Sequence, residues 1–144
     1  MEAGALAVGA GPDERARLRR FGHAVGTAFQ IIDDCLDFSL DGKTGKPSGG
    51  DILGGKATLP VVHALSRARP GDRKLLEAFL SGSARGAPLR DIVKILERTG
   101  SFEHARARAA AFCAEAREEL RPVKASPYKK LLEDITQYVL YRTS

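Results

Sequence analysis

Apolar residues recur at helical spacing through the first quarter of the chain. Between Ala16 and Leu36 they fall three to five positions apart, a spacing that places them on one face of a helix. Asp13 follows a Gly-Pro pair, and a short acidic side chain there favours a helix N-terminus because it accepts hydrogen bonds from the first backbone N–H groups. The pattern predicts one long helix from Asp13 to about Ser39.

A polar break follows this helix. Residues 41–55 contain six glycines and Pro47, a composition that favours a loop. Helical spacing then resumes, with proline, serine or glycine near most of the boundaries. The further predicted helices are 58–67, 72–80, 89–99, 101–121 and a last one that Ser126 caps with Pro127 in its first position. No strand-like alternation longer than a few residues occurs, so the sequence predicts an all-α protein.

Composition and charge narrow the function classes. At 144 residues, 43% of them hydrophobic, the chain is long enough to bury a substantial core. Its net charge of +5 and pI near 9.5 suit nucleic acid, an acidic membrane surface or a phosphorylated small molecule. Basic and aromatic residues are not interleaved as a single-strand binding platform requires, so no nucleic-acid partner is expected.

Cysteine spacing and hydropathy favour a cytoplasmic chain. Cys35 and Cys113 lie far apart, without the spacing of a zinc site or a disulfide framework. The longest apolar and glycine run, 3–11, is too short for a bilayer, so no membrane span is expected. The three histidines are not expected to cluster or to bind a metal; they are His23, His63 and His104.

Candidate chemistry concentrates near the end of the long predicted helix. Gln30, Asp33, Asp34 and Asp37 stand at i, i+3, i+4 and i+7, on one helix face. Crowded carboxylates repel one another, so a cation is expected to compensate. Mg²⁺ suits this face because it takes one or two carboxylates, keeps several waters and accepts phosphate oxygens. Gly26 leaves space on the same face for a bulky ligand; the alternative is a solvated acidic face.

The loop that follows supplies the opposite charge. Lys43, Lys46 and Lys56 lie within two dozen residues of the carboxylates, among glycines that let backbone approach an anion closely. Neither a Walker A loop nor a dinucleotide-binding GxGxxG occurs. The pattern favours a diphosphate site, and the alternative is a flexible solvated loop with unrelated lysines.

These residues belong to a longer string with a specific resemblance. Residues 26–38 read GTAFQIIDDCLDF, followed by GKP at 45–47, GD at 50–51 and GKATLP at 55–60. In order, spacing and flanks the string resembles the second aspartate-rich region of trans-isoprenyl (polyprenyl) diphosphate synthases. The segments SPYKKLL at 126–132 and YVLYR at 138–142 resemble the terminal helix of that family.

The resemblance implies a helical bundle of the isoprenoid synthase type and a prenyltransferase that condenses an allylic diphosphate with isopentenyl diphosphate. Its metal residues are implied to be Asp33 and Asp37 on Mg²⁺, with Asp34 beside them. Asp51 is implied to hold the loop and to bind the outer metal shell.

Substrate contacts follow from the same resemblance. Phe29 and Gln30 are implied to lie against the reacting substrate, and Lys46 and Lys56 to bind the allylic diphosphate. The implied catalytic set is Asp33, Asp34, Asp37, Lys46 and Lys56.

One part of the family pattern has no counterpart here. No second DDxxD occurs in the chain, although the family carries a first aspartate motif, an arginine pair and a lysine for isopentenyl diphosphate in its N-terminal half. The expectation is therefore a single partial domain over 1–144, the C-terminal half of the bundle, with the aspartate-rich region at 26–60 and C-terminal helices at 72–142. Activity of this chain alone is not expected.

Two other functions stay open at this point. The chain is expected to form a homo-oligomer such as a dimer, or to pair with another synthase chain. As a non-catalytic or split subunit it would adjust the product length of that partner chain. A cyclising terpene synthase shares the metal chemistry but normally lacks the pattern at 46–58.

Overall fold

Helices account for all the regular structure in the part of the chain that is described. The structure, a computed structural model, describes residues 2–7, 9–38, 55–83 and 89–142, and within these ranges it contains seven helices and no strand. The helices are α1 Glu2–Ala7, α2 Pro12–Leu36, α3 Leu59–Arg67, α4 Pro70–Leu80, α5 Leu89–Arg98, α6 Ser101–Leu120 and α7 Pro127–Tyr141. The all-α prediction is confirmed.

The start of α2 differs from the prediction. Asp13 is not the cap: it lies in the first turn, because Pro12 already occupies the first helical position, where its missing N–H costs no hydrogen bond. The Gly11 N–H donates to Glu14 Oε2 at 3.2 Å, one half of a capping box. The end of α2 at Leu36 also falls short of Ser39.

Other boundaries follow the sequence signals closely. The Ser126 hydroxyl accepts a hydrogen bond from the Lys129 N–H at 3.1 Å, with Pro127 opening α7 as predicted. Gly100 closes α5 with a φ of 66°, a left-handed value that glycine adopts without penalty. α4 begins at Pro70, ahead of the predicted Asp72, again because proline suits the first helical position.

The chain divides into two compact units, and α2 and α6 contribute to both. The first unit comprises residues 1–32 and 107–144. Its core packs Phe21 and Ala24 of α2 against Ala116 and Leu120 of α6, with Leu132 of α7 beside them. None of the described helices is both long and apolar enough to cross a bilayer.

The second unit comprises residues 33–106. Its core unites the end of α2 with α3, α4 and α5, and its buried members are Phe38, Val61, Ala64, Leu76, Ile92, Val93, Ile95 and Leu96. The Phe38 ring lies 6.4 Å from the Phe79 ring and 6.2 Å from the Phe102 ring, centroid to centroid. Phe38 therefore anchors the end of the aspartate-bearing helix. That residues 1–144 form one partial domain stays a prediction.

Gly55 brings the chain against the last turn of α4. Its φ is 67°, and a Cβ there would stand 2.6 Å from the Leu80 carbonyl oxygen and 2.7 Å from that of Phe79. Backbone atoms cannot withdraw from such a contact as a flexible side chain does. Only glycine fits, and this contact sets where the chain enters α3.

Two of the three histidines do cluster, so the sequence-based expectation was wrong. The rings of His63 on α3 and His104 on α6 stack with centroids 4.1 Å apart and planes 10° apart. These residues are distant in sequence, and only the packing of the second unit brings them together.

A directed chain of hydrogen bonds holds His63. The Thr99 hydroxyl donates its one proton to the Ile95 carbonyl at 2.7 Å, so it accepts from the Ser101 hydroxyl, also at 2.7 Å. The Ser101 oxygen in turn accepts from His63 Nδ1 at 2.9 Å. The neutral ring is thus held as the Nδ1–H tautomer.

Replacing Gly55 by alanine should destabilise the protein by about 1–3 kcal/mol, because the left-handed backbone and the carbonyl clash both oppose a Cβ. Gly71→Ala is the matched control, since a Cβ there meets nothing within 4 Å. The control should stay within about 1 kcal/mol of the unchanged protein. Urea unfolding compares the two variants, and equal stabilities would contradict the close approach at Gly55.

Stability should fall as the pH is lowered, in part through His63. Burial, His104 and Arg67, in that order, lower the pKa of His63 below its ordinary 6.5. A lowered folded-state pKa means that folding favours the neutral ring, so the stabilisation is complete above pH 6.5 and is lost as the pH falls through the lower value.

Urea midpoints at pH 7.5 and pH 5 measure this effect. His63→Gln should shrink the pH-dependent difference, whereas His23→Gln, at an exposed position on α2, should retain it. A difference that survives His63→Gln in full would refute the role of this ring.

Candidate functional site

The aspartates occupy the end of α2. Asp33 and Asp34 lie in its last turn and Asp37 lies just beyond it. The Asp37 N–H still donates to the Asp33 carbonyl at 2.9 Å, so the helical path continues and these two residues remain one turn apart. All three aspartates are half-buried residues, so each stays partly exposed to solvent.

The surroundings of the aspartates are mostly apolar. Ile31, Ile32, Cys35 and Phe38 are buried, whereas Phe29 is 38% exposed. Burial is the main cause that raises the pKa of the Cys35 thiol to about 11. At neutral pH this sulfur is a protonated packing group and offers no thiolate to a metal.

Asp37 and Lys56 line one small pocket. Phe38, Thr58 and Phe79 complete its wall, and its volume is about 10 Å³, the space of a single water-sized probe. The pocket therefore joins an implied metal ligand to an implied phosphate ligand, although the pocket itself encloses no substrate.

Thr58 is a member of this pocket to which sequence reasoning assigned no role. Its side-chain oxygen is buried and has no hydrogen-bond partner in the described structure, and it makes no capping bond to α3. An unsatisfied buried hydroxyl costs about 1–3 kcal/mol. The hydroxyl is thus an unsatisfied polar group at a residue that lines this pocket.

Phe29 and Gln30 are exposed on α2. A Cβ built on Gly26 meets nothing within 4 Å, in keeping with the predicted space on this helix. The Arg142 guanidinium lies 4.3 Å from the centroid of the Phe29 ring, a cation–π contact. Sequence reasoning gave Arg142 no site role; its only signal was its position at the end of the family-like terminal helix.

Three lysine and aspartate positions of the prediction cannot be placed. Lys43, Lys46 and Asp51 lie outside the described residues. Within the described ranges, no three His, Cys, Asp or Glu side chains come together as a metal site. Asp33 and Asp37 nevertheless fit Mg²⁺, which needs only one or two protein carboxylates when phosphate and water supply the other oxygens.

The sequence profile of the family described as Polyprenyl synthetase matches residues 1–97. The chain is 41% identical over 142 residues to a short chain isoprenyl diphosphate synthase of Methanothermobacter thermautotrophicus, covering 98% of this chain and 43% of the relative. It is 36% identical over 137 residues to heptaprenyl diphosphate synthase component 2 of Geobacillus stearothermophilus, covering 94% and 42%.

A solved structure shares the fold over nearly the whole chain. It is a polyprenyl synthase from Caulobacter crescentus complexed with calcium and isoprenyl diphosphate, with a TM-score of 0.87, 29% identity and coverage of 99% of this chain and 44% of that one. The chain thus spans less than half the length of the relatives it matches. The resemblance drawn from the aspartate-rich string is confirmed: the chain belongs to the polyprenyl synthetase family.

Proposed function

We propose that this chain carries the part of a prenyl diphosphate synthase that binds an allylic diphosphate through Mg²⁺ for condensation with isopentenyl diphosphate. The observation that carries the proposal is the pocket shared by Asp37 and Lys56. Asp37 and Lys56 line it together, the first with a carboxylate that suits a metal ion and the second with an ammonium group that suits phosphate oxygens.

Asp33 and Asp37 are the residues that would hold the metal, with Asp34 beside them. Their spacing of one helical turn lets both carboxylates face one cation. Bound Mg²⁺ would neutralise charge on the diphosphate oxygens as the leaving group departs. Asp51 would support the outer metal shell through the loop.

Lys56 would donate charge-assisted hydrogen bonds to the diphosphate, with Lys46 as a second cation. The Thr58 hydroxyl would donate to a phosphate oxygen, which satisfies a group that otherwise has no partner. Phe29 and Gln30 would lie along the allylic chain, where the exposed Phe29 ring offers an apolar and electron-rich face.

The reaction needs no protein nucleophile. The bond between the allylic carbon and the diphosphate oxygen breaks, and the electron pair leaves with the diphosphate. The double bond of isopentenyl diphosphate then attacks the allylic cation. A proton is then lost from the new carbon skeleton, and the released diphosphate acts as the base that accepts it. The residues of this chain hold the leaving group and stabilise its growing charge.

The isopentenyl partner requires further residues. The chain spans 43% of the Methanothermobacter relative, and one relative is itself named as component 2 of a heptaprenyl diphosphate synthase. We therefore propose that activity depends on a second chain or on more of the same fold. A purely non-catalytic role for this chain is less favoured. The aspartates and the lysine that the family resemblance assigns to metal and diphosphate are all present, and Lys56 shares a pocket with Asp37.

Magnesium should tighten the binding of an allylic diphosphate to this chain, because the cation bridges anions that otherwise repel. Asp33→Asn should abolish the magnesium effect. In the presence of magnesium, Lys56→Ala should weaken binding of the allylic diphosphate by about 10- to 150-fold, which corresponds to one charge-assisted hydrogen bond. Calorimetric titration with magnesium and with EDTA measures both effects.

The matched control for the lysine is Lys74→Ala, because Lys74 is exposed on α4. Its affinity should equal that of the unchanged chain. An affinity that does not respond to magnesium would remove Asp33 and Asp37 from the metal site.

Condensation is a more demanding test than binding. Proximity and orientation of the two reactants can lower the activation free energy by roughly 7–11 kcal/mol. Without residues that position isopentenyl diphosphate, most of this reduction is lost. The chain alone should give no measurable product in an assay with radiolabelled isopentenyl diphosphate.

Adding a chain that bears the first aspartate motif should restore activity, and Asp37→Ala should abolish the restored activity. Condensation by this chain alone would contradict the proposal that residues outside it position isopentenyl diphosphate. Full activity of the mixture with Asp37→Ala would contradict the role of Asp37.

A further inference from the structure

A pocket lined by arginines lies where α3 ends, α4 begins and α5 ends. Its volume is about 370 Å³, and the lining residues are Arg67, Arg69, Asp72, Arg98, Thr99 and Gly100. Three guanidinium groups and one carboxylate leave an excess of positive charge on this wall. Such a lining favours an anion with several oxygens.

Some of the charged side chains in the pocket are paired with each other and others are not. Asp72 forms an ion pair with Arg98, so this carboxylate is already neutralised. Arg67 and Arg69 are exposed, and neither forms an ion pair with any residue of the described ranges. Two guanidinium groups therefore remain for a ligand.

The backbone adds to the same preference. Arg69 precedes α4 but makes no side-chain capping bond, so the N–H groups of the first turn are not occupied by a cap. Gly71 in that turn has open space where a Cβ would stand. The positive end of this 11-residue helix thus begins directly after Arg69.

This pocket is separate from the one at Asp37 and Lys56. α3 has nine residues, a length of about 13 Å at about 1.5 Å per residue. Lys56 and Thr58 precede the start of α3, whereas Arg67 is its last residue. A diphosphate bound at one end of this helix cannot reach the arginines at the other.

We propose that the arginine pocket, lined by Arg67, Arg69 and Arg98, binds a phosphate-class anion without a metal ion. The ligand is a phosphate or diphosphate group, either free or as the head of a small ester. No divalent cation is needed because Asp72, the one carboxylate among the described lining residues, is paired with Arg98. Metal independence distinguishes this pocket from the proposed catalytic site.

Titration calorimetry with inorganic diphosphate in EDTA tests the proposal. Saturable binding is expected, and Arg69→Gln should weaken it by about tenfold or more, as expected for loss of a charge-assisted contact. The double variant Arg67→Gln/Arg69→Gln should abolish it. Because both side chains are exposed, urea midpoints of these variants should match that of the unchanged chain.

Two controls locate the binding. Arg90→Gln makes the same charge change at an exposed position near the opposite end of α5 from Arg98, and it should keep full affinity. Lys56→Ala should also keep full affinity in EDTA. Comparing inorganic phosphate with glycerol phosphate then shows whether a free anion or an ester is preferred.

Three results would overturn the proposal. One is the absence of saturable binding in EDTA. Another is an equal loss with Arg90→Gln and Arg69→Gln, which would indicate diffuse charge attraction. The last is a loss with Lys56→Ala, which would place the anion at the catalytic pocket. None of these bears on the magnesium response of Asp33, so this proposal and the catalytic one fail independently.

Discussion

The last turn of α4 is the constraint on which the candidate site depends. The ring of Phe79 lies beside Phe38, which follows Asp37 directly in the chain. The carbonyl oxygens of Phe79 and Leu80 face Gly55 so closely that no Cβ fits there, and Gly55 directly precedes Lys56. One turn of α4 thus contacts the neighbours of both Asp37 and Lys56, although it contributes no charged group to their pocket.

Buried apolar residues and half-buried acidic residues alternate along the end of α2. The apolar core of the second unit holds the end of α2 in place, while Asp33, Asp34 and Asp37 stay half-buried at its edge. A partly desolvated carboxylate pair attracts a cation more strongly than a fully hydrated pair, because the effective dielectric constant is lower. Cys35, between these acids, is kept neutral by burial.

The helix α3 connects two different electrostatic environments. At its start lie Lys56 and the unsatisfied Thr58 hydroxyl, and at its end lies the arginine pocket. Between them His63 is fixed by Ser101 and Thr99, and Thr99 also lines the arginine pocket. The hydrogen-bond chain therefore ties the middle of α3 to the wall of that pocket.

Sequence alone determined the features that depend on neighbours a few positions away. Helical hydrogen bonds join residues four apart, so apolar spacing predicted six of the seven helices of the described residues and the absence of strands among them, and Ser126 with Pro127 marked the start of α7. The same periodicity placed Asp33 and Asp37 one turn apart. The long ordered string at 26–60 was specific enough to identify the family, because many residue types and spacings had to agree at once.

Tertiary structure alone decided which distant residues meet. The shared pocket of Asp37 and Lys56, the left-handed Gly55 against α4, the stacked His63 and His104, and the arginine pocket all depend on side-chain packing between helices. Packing depends on shape complementarity across the core, and local periodicity carries no information about which faces will touch. Local spacing therefore predicted the helices and the acidic face, and only the folded chain assigned their partners.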